Sequence, residues 1–297
     1  MFRRLSLAAL VLVTACAHAP AAGTEDQLTS MVEAERAFAA SAGPLGVRDA
    51  FLRSIADDGV LFRPGPVNGR QALESGPSPP IALSWYPVYA RISASGDLGF
   101  TTGPYQVRPN PSAAPTGQGH FVTVWRRGPE GWRFVSDLGT PHPAPGAQLP
   151  PWERPADVHL PRPAPAADEE EARESLLAAD RAFAGVARER GLAAAILEHG
   201  DDQVRLHRPG AFPAIGREAA PALAALDARR YSAVPGQAHV SRAGDFGYVI
   251  GEYRLADASG NGRAESGWYE RIWVRRAGAP WRLALDIVSP RPPEREE

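Results

Sequence analysis

The strongest constraint on the fold is an internal repeat that runs through most of the chain. Several short motifs occur twice, in the same order and at nearly constant spacing. They are acidic-Arg-Ala-Phe-Ala at 35–39 and 180–184, Arg-Pro-Gly at 63–65 and 208–210, Gly-Asp-x-Gly at 96–99 and 244–247, and Trp-Arg at 132–133 and 281–282. A repeat of this length indicates two copies of one fold rather than two unrelated domains.

The length agrees with this interpretation, because 297 residues suit two domains of ordinary size. A proline-rich segment separates the copies, and such segments favour an extended, semi-rigid conformation. We therefore predict six parts: a signal peptide at 1–15, a tether at 16–27, a first domain at 28–143, a linker at 144–167, a second domain at 168–291 and a tail at 292–297.

The charge balance excludes one large class of partners. The formal net charge is -2, so the chain has no basic field for nucleic acid. It contains no lysine, which removes Schiff-base chemistry and the P-loop lysine. All 32 basic residues are therefore arginines, and with Ala, Gly and Pro also abundant we attribute this to codon bias. An arginine in this chain is weak evidence for an anion site.

The N-terminus predicts export to the cell envelope. A basic start is followed by a short apolar run and small residues that end at Cys16, the only cysteine. This order is typical of a signal peptide, and its end resembles a bacterial lipobox. The resemblance implies that Cys16 is lipidated and that the protein is anchored, by this lipid, in the outer membrane facing the periplasm. An ordinary signal peptide that happens to contain a cysteine is the alternative.

The sequence of each copy predicts helices followed by strands. In the first copy we predict a helix with an apolar stripe that includes Leu28, Val32 and Glu35, a second helix at 47–55 and a third at 69–74. An Asp-Asp-Gly turn at 57–59 is expected to lead into a short strand. Strands are then expected near 83–93, 98–107, 120–127 and 132–138. Helices followed by an antiparallel run of strands indicate an α+β fold.

This order of elements, found twice, resembles the nuclear transport factor 2-like superfamily, and within it the SnoaL-like, ketosteroid-isomerase-like bacterial branch. The resemblance covers about 28–143 and 172–291. It implies two tandem cone-shaped domains, each with N-terminal helices packed on a curved, mostly antiparallel sheet around an apolar pocket. It also implies that the two sheets pair as an intramolecular pseudo-dimer.

The same resemblance implies where chemistry would occur. In related isomerases and cyclases an acidic pocket residue acts as general base and a hydroxyl donor stabilises an oxyanion. The candidates here are Asp137 and Asp286 as base, and Tyr105 and Tyr253 as donor. A structural role at the end of a strand is the alternative for both aspartates. Strand alternation places Asp137 on the face of Arg133, away from the pocket, unless a bulge intervenes.

Aromatic and histidine side chains supply the candidate ligand pocket. These are Trp85, His120, Trp125, His207, Tyr269 and Trp273. The histidines do not repeat, because His120 aligns with Trp268 and His207 with Phe62, so the copies share no catalytic histidine. No zinc-ligand spacing occurs, and no glycine-rich nucleotide loop follows a strand, so we expect neither metal nor cofactor.

Three functions remain open from the sequence. The first is a non-catalytic envelope lipoprotein whose cones bind a small apolar ligand or a partner. The second is an isomerase, cyclase or hydratase that uses a pocket aspartate as general base. The third is a structural or assembly protein.

Overall fold

The computed structural model describes residues 24–143, 168–223, 229–257 and 264–292. The predicted signal peptide, Cys16 and the predicted linker at 144–167 lie outside the described residues. The first helix begins at Thr24, inside the range that we had assigned to the tether.

The first domain has three helices and seven strands. The helices are α1 (Thr24–Leu45), α2 (Val47–Ser54) and α3 (Gly69–Ser75). The strands are β1 (Ile55–Phe62), β2 (Pro66–Asn68), β3 (Ala82–Trp85), β4 (Tyr89–Ile92), β5 (Leu98–Arg108), β6 (Gly117–Gly128) and β7 (Gly131–Pro141).

The second domain repeats this plan. Its helices are α4 (Glu169–Arg190), α5 (Leu192–His199) and a 3₁₀ helix (Arg217–Leu223). Its strands are β8 (Gly200–His207), β9 (Ala214–Ile215), β10 (Arg229–Val240), β11 (Phe246–Asp257), β12 (Glu265–Val274) and β13 (Arg282–Pro290). Asp168 caps α4, because its side chain accepts a hydrogen bond from the backbone N–H of Glu171.

Each domain has one mixed sheet. The strand order is β2-β1-β7-β6-β5-β3 in the first, with β4 also paired to β5, and β10-β11-β12-β13-β8-β9 in the second. All neighbours are antiparallel except β1 with β7 and β8 with β13. Helices on one mixed sheet confirm the α+β class.

Two details of the first domain differ from the sequence prediction. The Asp-Asp-Gly segment at 57–59 is not a turn that precedes the strand, since β1 already begins at Ile55 and has an irregular register before Val60. The segment predicted as one strand near 83–93 is two short strands, β3 and β4, that both pair with β5.

A β-bulge in the last strand of each domain decides which way its aspartate points. Val124 pairs with Ser136 and Trp125 with Phe134, so Val135 has no partner. The second domain has the same shift at Ala284. An extra residue reverses the alternation of side chains beyond it. Asp137 therefore faces the helix side of the sheet together with Phe134.

The two sheets pack face to face. One buried cluster joins β-strand side chains of both domains, and Phe100 of the first lies 6.3 Å from Phe246 of the second, measured between ring centroids. Ser136 donates a 2.5 Å hydrogen bond to Glu270 across this contact.

The repeated Gly-Asp turns hold the sheets together through reciprocal hydrogen bonds. The backbone N–H of Ala94 donates to Asp245 at 2.8 Å, and that of Arg242 donates to Asp97 at 3.2 Å. Ala94 and Arg242 occupy equivalent positions of the repeat, as do the two aspartates, so the contact has approximate two-fold symmetry.

The repeated Arg-Pro-Gly loops also lie between the domains. Gly65 packs so closely against the indole of Trp268 that a Cβ there would come within 2.6 Å of the ring. In the other direction, Gly210 donates its backbone N–H to Pro141, and Phe212 packs on His120 at 4.9 Å. His120 and Trp268 are equivalent in the repeat, so each loop contacts the same position of the other domain.

No helix among the described residues is both long enough and apolar enough to cross a membrane.

Candidate functional site

A cavity of about 140 Å³ lies in the first domain between α2 and the helix-facing side of the sheet. Its walls are Phe51, Leu83, Trp85, Tyr105, Phe121, Asp137 and Gly139. An apolar cavity of similar size, about 150 Å³, accommodates a benzene molecule in another protein. The first-domain cavity therefore has room for one small ring.

Asp137 is the only ionisable acid in this wall. Its Oδ2 accepts a 2.8 Å hydrogen bond from the hydroxyl of Thr123 on the neighbouring strand. Burial, together with the nearby Glu35 carboxylate, raises the pKa of Asp137 to about 7 against the lowering effects of Thr123 and Arg63. Near neutral pH this carboxyl can therefore both accept and donate a proton.

A second acid, Glu35 on α1, lies behind the cavity wall and has no exposed surface. Three donors reach its carboxylate: the indole N–H of Trp85 at 2.6 Å, the hydroxyl of Thr101 at 2.5 Å and the indole N–H of Trp125 at 2.9 Å. Burial raises the pKa of Glu35, and these hydrogen bonds oppose that rise. None of the three donors carries a charge.

Tyr105 on β5 lines the cavity beside Asp137. Burial raises the pKa of its phenol, and the charge of Asp137 raises it further. Two glycines make room for the ring, since a Cβ at Gly119 would lie 2.7 Å from the phenol oxygen and one at Gly139 would lie 3.1 Å from a ring carbon. The structure therefore brings together the predicted first-copy pair, Asp137 and Tyr105.

The second domain has a charged cluster at the equivalent place. Arg271 on β12 is 1% exposed and pairs with two buried acids, Asp180 on α4 at 3.1 Å and Asp286 on β13 at 3.0 Å. Arg208 binds the other oxygen of Asp286, and Tyr231 accepts a hydrogen bond from Arg271. The two arginines and the two aspartates balance one another's charge in the part of the second domain that corresponds to the first-domain cavity.

Asp286 is consequently unsuited to the predicted role of general base. Burial alone would raise its pKa, but Arg208 and Arg271 outweigh burial and hold the pKa below the ordinary value. A carboxylate that is bonded to two arginines is a weak proton acceptor near neutral pH. The two repeated aspartates thus have different chemistry despite equivalent positions.

The predicted donor Tyr253 also differs from Tyr105. Its hydroxyl donates a 2.7 Å hydrogen bond to Glu265, away from Asp286. Tyr269 donates to Asp180 at 2.7 Å, and Trp273 is buried against Phe183. Tyr253, Tyr269 and Trp273 all belong to the buried hydrophobic cluster of the second domain.

Of the predicted pocket residues in the first domain, Trp85 lines the cavity and Trp125 lies deeper, where it binds Glu35. His120 and His207, which were also predicted to line a pocket, are not among the residues that line this cavity. His120 points to the opposite face of β6 from Phe121 and packs against the second domain, with His207 at 6.0 Å. Strand alternation separates His120 from the cavity.

These histidines form a buried group between the domains. The Nδ1 of His120 lies 2.6 Å from the Nε2 of His142, and His142 also contacts the carbonyl of Pro143. Burial lowers the pKa of His120 to about 3 and that of His207 well below its ordinary value, so both are neutral near pH 7. Within the described ranges, no three His, Cys, Asp or Glu side chains are placed to hold a metal ion.

Sequence reasoning did not select Glu35 and Asp180 as site residues, although both were part of the repeat. The available signal was an acid in an otherwise apolar helical stripe, at the same place in both copies. An acid on the buried face of a helix needs partners, and these turn out to be indoles and a hydroxyl in one domain, and an arginine and a tyrosine in the other.

The chain is similar to several solved structures, each over about two fifths of its length. A conserved protein from Planctomyces limnophilus is 19% identical with a TM-score of 0.35, and the match covers 41% of this chain and 99% of that one. A ketosteroid isomerase-like protein from Erwinia carotovora atroseptica is 18% identical, with a TM-score of 0.37, over 41% and 98% of the two chains. An NTF2-like protein with a cystatin-like fold from Novosphingobium aromaticivorans is 22% identical, with a TM-score of 0.33, over 40% and 81%.

No protein-family model matches the chain, and no curated protein matches it. Each structural match spans about one domain of this chain. The resemblance inferred from the sequence rests on the order of helices and strands, and the described elements follow that order in both copies. At the level of fold, the chain is therefore similar to the nuclear transport factor 2-like superfamily, with the α+β fold present twice.

Proposed function

We propose that this chain is a cell-envelope lipoprotein whose first domain binds a small ring-shaped ligand, with the second domain as a non-binding partner copy. The observation that carries the proposal is the difference between the two interiors. The first holds a cavity with an acid in its wall, whereas the second holds a buried arginine between two aspartates. Aromatic walls with one convergent polar group are typical of small-molecule sites.

The cavity has the composition needed to orient such a ligand. Phe51, Trp85 and Phe121 offer apolar and flat surfaces, and Asp137 offers one hydrogen-bonding group. A ring that fills this space would replace water at an apolar wall, which favours binding by roughly 25 cal/mol for each Å² of apolar area buried. The carboxyl would select ligands that carry a polar atom at one edge.

Binding can be tested with benzyl alcohol as a neutral probe. We expect a rise in the thermal unfolding midpoint of the full chain with increasing probe, and a change in tryptophan fluorescence because Trp85 lines the cavity. Gly139→Val introduces the residue that the second copy has at the equivalent position, Val288, and should abolish both signals by filling the cavity.

Gly128→Val is the matched control, because a Cβ at Gly128 meets nothing within 4 Å. This variant should respond to the probe as the wild type does. An equal loss of response in both variants, or no response in the wild type, would count against the proposal.

The second candidate function is proton-transfer catalysis of the isomerase, cyclase or hydratase type. It is supported by Asp137, whose pKa of about 7 suits a general base near neutral pH, and by Tyr105 beside it as hydrogen-bond donor. Deuterium exchange at a carbon next to the carbonyl of a small cyclic ketone would reveal this activity. Exchange should fall by two to four orders of magnitude in Asp137→Asn, and an unchanged rate would remove Asp137 as the base.

Localisation to the cell envelope is a separate proposal that rests on the N-terminal sequence. Cys16→Ala should prevent incorporation of a labelled fatty acid and release the protein from the membrane fraction. Incorporation of label into this variant would contradict lipidation at Cys16.

We further propose that the two domains act as one pseudo-dimeric unit. The reciprocal bonds of Asp97 and Asp245 and the face-to-face sheets support this. A soluble version without the leader should then behave as a monomer in sedimentation, since its sheet face is already covered.

A further inference from the structure

The two copies differ at one position that faces the aspartate of the last strand. Thr123 pairs with Asp137 across β6 and β7, and Arg271 pairs with Asp286 across β12 and β13. The bulges lie at equivalent places, so both pairs face the helix side of their sheets. The second domain therefore shows which side chains surround a cation at this position of the fold.

Arg271 is bound there by two kinds of contact. Its guanidinium pairs with Asp180 and Asp286, and it lies over the rings of Phe183 at 4.3 Å and Tyr269 at 4.0 Å from the ring centroids. Carboxylates and aromatic faces are the two groups that proteins combine to hold organic cations in a dry interior.

The first domain keeps an equivalent of each of these groups. Glu35 and Phe38 stand where the second domain has Asp180 and Phe183, and Asp137 and Phe121 stand where it has Asp286 and Tyr269. Thr123 supplies no positive charge. Asp137 and Phe121 both line the 140 Å³ cavity. The first domain thus has the acids and aromatic rings that surround the cation in the second domain, together with a cavity beside Asp137 and Phe121.

We propose that the ligand of the first domain is a small organic cation, a primary ammonium or guanidinium group carried on a ring of about benzene size. The cationic group would bind Asp137, and the ring would lie against Phe121, Phe51 and Trp85. This inference rests on the proposed binding function and names its ligand class.

The surrounding charges favour a cation over an anion. Glu35 on α1 lies behind Asp137, and its carboxylate raises the pKa of Asp137. Glu270 of the second domain lies on the other face of β7, and because its pKa is raised to about 8 it is mostly protonated near neutral pH and adds little charge. Among the described residues, Arg63 is the one positive group that affects the pKa of Asp137, and it is exposed. Thr123 and Tyr105 are neutral. The negative charge of Glu35 also stabilises a proton on Asp137. A cationic ligand must therefore compete with that proton.

The competition predicts a pH dependence with a defined sign. Below about pH 7 the carboxyl is protonated, and the affinity for a cation should fall by about tenfold for each pH unit. Above pH 7 the affinity should become constant. Binding near neutral pH should also release a proton, which calorimetry detects as a heat that varies with the ionisation enthalpy of the buffer.

Isothermal titration of the purified full chain with three matched probes tests the inference. They are benzylammonium, benzyl alcohol and benzoate, which share a ring and differ in charge. At pH 8 we expect benzylammonium to bind at least tenfold more tightly than benzyl alcohol, and benzoate to bind most weakly. Asp137→Asn should remove the preference for the cation and its pH dependence while benzyl alcohol still binds. Asp49→Asn, an exposed aspartate on α2, is the matched control and should change nothing.

Thr123→Arg gives a second, independent variant. It places the arginine of the second copy beside Asp137 and should abolish benzylammonium binding. If benzyl alcohol binds as tightly as benzylammonium, or if Asp137→Asn keeps the preference, the cation inference is wrong while the binding function stands. If no probe binds to the wild type, the proposed binding function is overturned together with it.

Discussion

Glu270 makes the contact between the two domains sensitive to pH. The side chain has no exposed surface, and its Oε2 accepts a 2.5 Å hydrogen bond from Ser136 of the first domain. Its Oε1 is buried and has no hydrogen-bond partner among the described residues. Burial raises the pKa of Glu270 to about 8, Asp137 adds to the rise, and Ser136 opposes it. The carboxyl is therefore protonated in the folded protein at neutral pH.

The sign of the effect follows from proton binding in the two states. Between the ordinary pKa of 4.5 and about 8, the folded chain retains a proton that the unfolded chain has lost. Glu270 therefore lowers the free energy of unfolding progressively as pH rises through this window. One pKa unit corresponds to about 1.4 kcal/mol, so at pH 7 the cost is on the order of 3 kcal/mol.

Glu270→Gln keeps the size of the side chain and cannot ionise. We expect the variant to have a free energy of unfolding close to that of the wild type at pH 5 and higher by up to about 3 kcal/mol at pH 7. Urea unfolding followed by tryptophan fluorescence at pH 5, 6, 7 and 8 measures this difference. Glu252→Gln changes an exposed glutamate in the same sheet and should show no pH-dependent difference. A constant difference between Glu270→Gln and wild type at all four pH values would refute the reasoning.

Three further changes test other buried contacts. Arg271→Leu should destabilise the protein by about 3–5 kcal/mol, because it leaves buried Asp180 without a cation and Asp286 with Arg208 alone. Exposed Arg276→Leu should have little effect in the same urea assay. His207→Phe should make the protein more stable at pH 5 than the wild type, by a margin that shrinks towards pH 7. Because the pKa of His207 is lowered in the folded protein, only the unfolded chain binds a proton at this residue just below about pH 6.5. His207 therefore lowers the free energy of unfolding as pH falls. Asp97→Ala and Asp245→Ala should each lower the free energy of unfolding by about 1.5–3 kcal/mol, as expected for the loss of a hydrogen bond to a charged group. Unequal shifts of the thermal unfolding midpoint in the two variants would contradict the approximate two-fold symmetry.

The order of elements was predictable because each signal is local. An apolar stripe at helical spacing predicted α1, and runs typical of strands predicted β5, β6 and β7. The repeat then predicted that the same elements would return in the second half. The Asp-Asp-Gly segment at 57–59 was misassigned because its turn composition is also compatible with an irregular strand.

The site was only partly predictable, and the β-bulge explains why. Regular alternation would turn Asp137 away from the cavity, and the extra residue Val135 turns it back. His120 lies on the face of β6 that meets the second domain, and the sequence alone does not say which face of a strand that will be. Glu35 was visible as an acid in an apolar stripe, but its three donors come from β3, β5 and β6.

The sequence by itself determined that the chain has two copies of one α+β fold, because repeated motifs and hydrophobic period are properties of the chain. Tertiary structure alone decided that the copies are chemically unequal. Thr123 and Arg271 occupy equivalent positions, and neither residue is unusual on a strand. Their difference matters only because folding places each one beside an aspartate on the inner face of its sheet, where Asp137 lines a cavity and Asp286 is held in buried ion pairs.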